Sequence, residues 1–210
     1  MQAFTTLTAI AAPLPEPDIN TDMIIRVERV RDLKPEEMGR YAFENRRFRP
    51  DGSEAPDFVL NQQPYRAARI ILGGPNFACG SSREAAVWAL AGFGIRCVIA
   101  PSFGPIFANN CYQNGMLPVV LPEATVQALT AEVMASGGTA EVTVDLERCE
   151  VVAPSGARSG FSIDAPRRAA LLQGLDELQM TLRREPEIGA YQARDRAARP
   201  WLYPTKETTP

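Results

Sequence analysis

The 210-residue chain contains no histidine. This absence excludes Ser-His-Asp and Cys-His catalysis, histidine metal sites and histidine general bases. Any acid–base or binding chemistry must therefore use hydroxyl, carboxylate, guanidinium or thiol groups.

Cysteine is scarce as well, and the four cysteines are scattered: Cys79, Cys97, Cys111 and Cys149. None stands in a C-x-x-C pair, so we expect no zinc or iron–sulfur site built within this chain and no cofactor bound by it. The apolar neighbours of Cys97 predict that most of these thiols are buried.

Positive charge is not in excess, since the net charge is −3 and the isoelectric point about 5.2. Nucleic-acid binding has no electrostatic support at that charge. No window approaches the ~20 apolar residues of a membrane span. Met1–Ala12 is apolar but has neither the charged region nor the long apolar region of a leader, so we expect a cytoplasmic protein.

Strand and helix signals alternate through the middle of the chain. This order, in a chain of this length and 45% hydrophobic content, predicts one α/β domain with a mostly parallel sheet flanked by helices. The predicted strands are 68–72, 95–100 and 116–121, and the predicted helices are 83–91, 103–113 and 123–135.

The segments before and after this alternating region differ from it in pattern. Near the N-terminus we expect a loop at 13–18, a short strand at 23–27 and a long mobile loop at 31–66 that is rich in charge and proline. After the third helix we expect a hairpin of 141–145 with 149–152, a long amphipathic helix over 166–183, a domain ending at 196 and an irregular tail over 197–210.

The most informative stretch is 73–90, where an apolar strand leads through glycines and two serines into a helix. Ser81 or Ser82 can cap that helix, and Arg83 adds a cation in its first turn. Carboxyl ends of parallel strands are where ligands bind, and both the 80–83 turn and the 101–102 turn fall there. The pattern predicts a site for a carboxylate or phosphate; a capped helix whose arginine faces solvent is the competing interpretation.

The high pKa of a serine hydroxyl limits what a serine in this turn can do. A water-like hydroxyl has a pKa of ~15.7, and lowering it to ~7 needs roughly 12 kcal/mol at ~1.36 kcal/mol per unit. A helix N-terminus supplies at most about 2 kcal/mol. The serine must therefore exchange its proton only in the transition state, with other charges contributing.

Four blocks of this sequence resemble the small subunit of 3-isopropylmalate dehydratase, the swivelling domain of the aconitase superfamily. The most specific is Asn76-Phe77-Ala78-Cys79-Gly80-Ser81-Ser82-Arg83-Glu84. The others are 18–25, 56–66 and 99–118, and a weaker match extends through 172–182 to Tyr191.

The resemblance implies a single swivelling β/β/α-type domain, like the aconitase C-terminal domain, that completes a hydro-lyase active site. A large subunit, in a heterodimer or heterotetramer, carries a [4Fe-4S] cluster, and the small subunit docks over it. Ser81 matches the catalytic base and Asp22 a catalytic acidic position, whereas Thr21, Ser82 and Arg83 match substrate-binding positions. The implied reaction interconverts 2-isopropylmalate and 3-isopropylmalate through 2-isopropylmaleate, in leucine biosynthesis.

The sequence departs from the family pattern at several positions. Ala85 stands where histidine is usual. In the substrate-selecting loop, residues 26–31 have the sequence Arg-Val-Glu-Arg-Val-Arg, so that Arg29 or Arg31 can meet a second carboxylate or a polar substituent. Two alternatives therefore stay open: a related hydratase subunit for methylmalate/citraconate or dimethylmalate, and a non-catalytic carboxylate-binding module. A stand-alone serine hydrolase is disfavoured by the lack of histidine.

Overall fold

A computed structural model describes residues 1–81 and 83–203. Within these residues a seven-stranded sheet has the order β4-β3-β2-β1-β5-β6-β7. Ser82 and residues 204–210 of the predicted tail lie outside the described residues. The strands are β1 Thr6–Leu14, β2 Ile70–Gly73, β3 Cys97–Ala100, β4 Leu117–Val120, β5 Glu141–Asp145, β6 Glu150–Val152 and β7 Arg158–Gly160.

Four strands, β4, β3, β2 and β1, run parallel to one another. Every residue of β2 and β3 is buried, as expected for parallel strands covered on both faces. The three strands predicted for this half of the sheet and the α/β class are confirmed.

The central strand β1 was not predicted. It pairs in parallel with β2 on one side and antiparallel with β5 on the other, with Ala11 opposite Ile70 and Thr6 opposite Asp145. The loop predicted over 13–18 is wrong at its start, because Pro13 and Leu14 are the last residues of β1. Alanine-rich sequence has weak strand propensity, and burial between two neighbours decides the conformation here.

The other half of the sheet is antiparallel. The predicted hairpin is confirmed as β5 and β6, with Thr143 opposite Val152, and β7 adds a third strand.

Helices pack against the sheet and against the segments that connect its strands. The predicted helices in the middle of the chain are confirmed, and the range predicted for one of them, 123–135, is the range observed. The helices are α1 Thr21–Ile24, α2 Val27–Asp32, α3 Glu44–Arg47, α4 Glu84–Phe93, α5 Pro105–Gln113, α6 Glu123–Ala135, α7 Ala165–Gln173, α8 Glu177–Leu182 and α9 Glu185–Ala198.

The short strand predicted at 23–27 is wrong, since α1 and the first residue of α2 occupy this segment. The Asn20 side chain caps α1, because its Oδ1 accepts a hydrogen bond from the backbone N–H of Met23 at 2.9 Å. Ile24 and Ile25 are both buried, so neighbouring apolar residues here do not alternate as a half-exposed strand requires.

The long loop predicted over 31–66 is also wrong. The segment holds α3 and three 3-10 helices, and it buries Met38, Phe43 and Leu60. The buried Asn61 side chain stabilises this segment, because its Nδ2 donates hydrogen bonds to the backbone carbonyls of Arg47 at 2.6 Å and Ala55 at 2.9 Å. The three 3-10 helices are Pro35–Tyr41, Val59–Asn61 and Tyr65–Ala67.

A single helix over 166–183 is likewise wrong, because the chain breaks between α7 and α8. Gly174 ends α7 with φ of +67°, a left-handed conformation that favours glycine. Asp176 then caps α8 by accepting from the backbone N–H of Gln179 at 2.7 Å. Leu171 is buried and Leu178 exposed, so the predicted apolar stripe does not continue across the break.

After α9 the chain forms a 3-10 helix, Pro200–Leu202. Regular structure thus continues past residue 196, the boundary predicted between the domain and its tail. No helix in 1–81 and 83–203 is both long enough and apolar enough to cross a membrane.

Candidate active site

Two loops meet at the carboxyl ends of β2 and β3. The Phe77 N–H donates to the carbonyl of Ser102 at 3.0 Å, and the Gly104 N–H donates to the carbonyl of Phe77 at 2.9 Å. The hydroxyl oxygen of Ser102 also accepts from the Asn76 N–H at 2.8 Å. The predicted meeting of the two turns at one sheet edge is confirmed, and it fixes the start of the loop that carries Ser81.

The start of α1 is joined to the same loop. The Thr21 backbone N–H donates to the carbonyl of Cys79 at 2.9 Å, and the Thr21 hydroxyl donates to the carbonyl of Ser81 at 3.2 Å. Thr21 is buried, so these bonds are shielded from water. Its observed role is to hold the Ser81 backbone in place.

Asp22 and Arg83 form an ion pair across this junction, between Oδ1 and Nη1. The Arg83 side chain is 17% exposed and the Asp22 side chain 55% exposed. A largely buried guanidinium needs a counter-charge, and Asp22 supplies it. Because a guanidinium carries five N–H donors, the pair leaves donors on Arg83 for a second carboxylate.

Ser81 is exposed at the end of this loop. The residue at the N-cap of α4 is Arg83, with no side-chain capping bond, so Ser81, one of the two serines expected to cap this helix, is not its N-cap. The Ser81 hydroxyl is therefore not committed to α4. Ser82, predicted to cap α4 and to bind substrate, lies outside the described residues.

Asn114 links the first turn of α4 to the end of α5. Its Nδ2 donates to the Glu84 carboxylate at 2.8 Å, and its Oδ1 accepts from the Trp88 indole N–H at 3.0 Å. Asn114 was not predicted to be a site residue. No local pattern marks such a link, because its partners lie 26 and 30 positions away.

Arg29 and Arg31, predicted to bind substrate, lie on α2. The Arg29 Nε donates to the Glu44 carboxylate at 2.9 Å, and its guanidinium lies 4.1 Å from the centre of the Tyr41 ring. Arg31 is exposed and makes no side-chain hydrogen bond or ion pair with the described part of the chain. The structure thus brings together Thr21, Asp22, Ser81 and Arg83, but it engages Arg29 elsewhere.

The thiols divide into two classes. Cys97 and Cys111 are fully buried, and burial raises the pKa of both above the usual range of a thiol. Cys79 and Cys149 are half-buried, so the prediction that most thiols are buried holds for two of the four. Within 1–81 and 83–203, no three His, Cys, Asp or Glu side chains converge as a metal site, so these residues do not fit an iron–sulfur cluster.

This geometry can hold a carboxylate on Arg83 while the Ser81 hydroxyl lies two residues away in the same loop. Comparison with known families shows three matches that follow one another along the chain. They are the aconitase C-terminal domain over residues 1–124, LeuD_N over 127–165, and the C-terminal domain of the 3-isopropylmalate dehydratase small subunit over 179–205.

Individual proteins match over almost the whole chain. The 3-isopropylmalate dehydratase small subunit of Gluconacetobacter diazotrophicus is 52% identical over 96% of this chain and 97% of its own length. The same subunit of Paramagnetospirillum magneticum is 48% identical over 96% of this chain and 100% of its own length.

A solved structure of 3-isopropylmalate dehydratase from Methanocaldococcus jannaschii shares the fold, with a TM-score of 0.64 at 22% identity, covering 89% of this chain and 99% of that one. Sequence identity of about one half over almost the whole chain, together with the family matches, assigns the chain to a family without relying on any single motif. The chain belongs to the family of 3-isopropylmalate dehydratase small subunits.

Proposed function

We propose that this chain is the small subunit of a hydro-lyase that interconverts 2-isopropylmalate and 3-isopropylmalate through 2-isopropylmaleate, in leucine biosynthesis. The observation that carries the proposal is the junction of α1 with the β2–α4 loop. There the Thr21 hydroxyl holds the Ser81 backbone and Asp22 pairs with Arg83. Membership of the family supplies the reaction, and the junction supplies groups suited to a hydroxy-dicarboxylate.

Arg83 is the proposed carboxylate-binding residue. Its side chain is mostly buried, which strengthens a charge-assisted hydrogen bond relative to one in water. Asp22 is proposed to orient Arg83 and to act as the site's acidic group.

Ser81 is the proposed base, which takes a proton from the carbon next to the substrate carboxylate. Ser81 is exposed and is not the N-cap of α4, which favours its availability for that transfer. A serine hydroxyl that takes this proton must give up its own, so we propose a concerted transfer in which the hydroxyl proton passes to a neighbouring base while nearby cations stabilise the negative charge that develops on the substrate. The Thr21 hydroxyl holds the Ser81 backbone in position through its hydrogen bond to the Ser81 carbonyl.

Further substrate contacts stay predictions. We expect the substrate to be contacted also by Ser82, next to Ser81, and by Arg29 and Arg31 of α2. Arg29 would have to leave or share Glu44 to reach a substrate.

The proposed partner is a large subunit, as the small-subunit family implies. We propose that it carries the [4Fe-4S] cluster, which would supply Lewis-acid chemistry for the substrate hydroxyl and carboxylate. The side chains described in this chain do not converge as a cluster site, and the roles proposed for Ser81, Asp22 and Arg83 involve only proton transfer, charge and position. The cytoplasmic location also stays a prediction.

The test is Ser81→Ala in the complex reconstituted with the large subunit. We expect a loss of ~10²-fold or more in kcat with unchanged assembly, the range of a general base. Ser155→Ala, at an exposed serine in the β6–β7 turn, is the matched control. An unchanged rate for Ser81→Ala would reject the base assignment and favour a non-catalytic module.

Substrate identity is tested separately with the wild-type complex. Turnover of 2- and 3-isopropylmalate is expected. Turnover of methylmalate or dimethylmalate without turnover of the isopropyl acids would replace the proposed substrate and leave the role of Ser81 intact.

A further inference from the structure

A polar cavity of about 250 Å³ lies at the amino ends of β2 and β3. Arg69 and Arg96, the residues just before these two strands, line it together with residues 2–7. Ser81 and Arg83 follow the carboxyl end of β2. The cavity and the proposed active site therefore lie at opposite ends of the sheet.

Strand pairing holds the two arginines side by side. The Arg96 backbone N–H donates to the carbonyl of Arg69 at 2.8 Å, and the Arg69 backbone N–H donates to the carbonyl of Ile10 at 3.1 Å. Partial burial, and then the charge of Arg69, lower the pKa of Arg96 below its usual value. The two guanidinium groups are thus close enough to repel each other.

Neither arginine has a carboxylate partner in the described part of the chain. The acceptors of Arg96 are neutral: Nη1 donates to the Gln2 side-chain oxygen, and Nη2 lies 3.4 Å from the carbonyls of Gln2 and Ala3. The Arg69 side chain makes no hydrogen bond or ion pair with residues 1–81 and 83–203. A half-buried cation beside a second cation, without a counter-charge, is costly, so an anion in this cavity is favoured.

Two hydroxyl groups add further donors to the lining. Thr5 and Thr6 are both exposed, and their hydroxyls make no hydrogen bond to the described residues. Asp145, the residue opposite Thr6 in β5, is held by Arg148, whose backbone N–H donates to it at 2.9 Å and whose Nη1 lies 3.6 Å from it. This carboxylate is therefore engaged away from the two arginines.

The lining offers little surface to a carbon skeleton. Its large apolar residues, Phe4 and Leu7, are themselves buried in the core. Guanidinium and hydroxyl donors that surround a small polar space suit a compact anion with acceptors in several directions, which is the geometry of phosphate.

We propose that this cavity binds a phosphate group, either free or carried by a small molecule. Arg69 and Arg96 bind its oxygens, and the hydroxyls of Thr5 and Thr6 donate further hydrogen bonds to it. The site does not depend on the reaction proposed for the Ser81 loop.

The test is calorimetric titration of the full small subunit, without its partner, near neutral pH and at constant ionic strength. The probes are inorganic phosphate, glycerol 3-phosphate and acetate. We expect phosphate to bind one to one with a Kd on the order of 1 mM or lower, and at least ~5-fold more tightly than acetate, because its oxygens can accept from both arginines.

The three probes distinguish the sources of the phosphate group. Tighter binding of glycerol 3-phosphate identifies a phosphorylated small molecule as the ligand, and equal or tighter binding of inorganic phosphate identifies free phosphate. Acetate that binds as tightly as phosphate, or no saturable binding of either phosphate compound, would overturn the proposal.

Variants locate the bound phosphate. Arg69→Gln is expected to weaken binding ~10-fold, the loss of one charge-assisted hydrogen bond. Arg194→Gln, at an exposed arginine in α9, is the matched control and should leave binding unchanged, as should Arg83→Gln. Binding that Arg83→Gln abolishes and Arg69→Gln preserves would place the phosphate in the other site and overturn the proposal.

A second variant removes hydroxyls instead of charge. Thr5→Val combined with Thr6→Val keeps the shape of both side chains and is expected to weaken phosphate binding ~5-fold. Unchanged binding in both this variant and Arg69→Gln would reject the site. The measurement needs no turnover, so its failure is distinguishable from failure of the proposed function.

Discussion

The backbones of Gly39 and Gly92 are in direct contact: a Cβ atom added at position 39 would lie 2.2 Å from the carbonyl carbon of Gly92. Gly39 lies in the 3-10 helix Pro35–Tyr41 and Gly92 near the end of α4. The contact therefore seats the segment 31–66 on the helix whose first turn adjoins Arg83.

Gly39→Ala is expected to destabilise the subunit by about 1–3 kcal/mol or more, because backbone atoms must move to admit the methyl group. The measurement is urea unfolding of the isolated subunit. Gly189→Ala is the matched control, since Gly189 lies inside α9 with nothing within 4 Å of an added Cβ. That control should be neutral or stabilising by up to about 1 kcal/mol. Equal midpoints for Gly39→Ala and wild type would contradict the packing described.

Asp22→Asn is expected to lower kcat/KM of the complex by ~10- to 100-fold, mainly through KM. The reason is that Arg83, with most of its side chain buried, loses the carboxylate that orients it. Glu187→Gln, which breaks an exposed ion pair with Arg184, should leave both constants unchanged. A fall in thermal stability with no change in KM would show that the Asp22–Arg83 pair is only structural.

Asn114→Ala is expected to cost about 1–3 kcal/mol of unfolding free energy, since the Trp88 indole N–H and the Glu84 carboxylate both lose their partner. Thermal unfolding of the subunit measures the change. Asn109→Ala removes a single exposed contact with Arg167 and should change stability by less than about 0.5 kcal/mol. Similar losses in the two variants would argue against the α4–α5 link.

Thiol labelling provides a prediction from pKa. Burial raises the pKa of Cys97 and Cys111, so at pH 8 both remain thiols and do not react. A disulfide reagent should therefore label Cys79 and Cys149 in the native subunit and all four cysteines in urea. Cys149→Ser should reduce native labelling from two groups to one. Rapid native labelling of a third thiol would contradict the burial of Cys97 and Cys111.

Much of the parallel half of the sheet was predictable, because its strands are short apolar runs that end at glycine or proline. Gly73 and Pro101 mark the ends of β2 and β3, and Pro122 precedes α6. Local sequence specifies such ends through backbone conformation, without help from distant residues. The placement of Ser81 and Arg83 in one loop after β2 was predictable for the same reason, since the two residues are close in sequence.

The elements that were wrong or missing depend on distant partners. Strand β1 forms because Ala11 and Ala12 pair with β2 and residues 6–10 pair with β5, not because alanine favours strands. Gly39 needs Gly92, and Arg29 is held by Glu44, 15 residues later. A local pattern cannot indicate such pairs, so the pairing of Asp22 with Arg83 also required the structure.

The position of β1 between β2 and β5 sets the order in which the protein can be completed during synthesis. Thr6 emerges early, but the residue opposite it, Asp145, follows after an interval on the order of 10 s at usual translation rates. Throughout that interval the apolar segment Thr6–Leu14 lacks the strand that covers one of its edges. We therefore expect truncations that end before residue 141 to aggregate, because they lack β5.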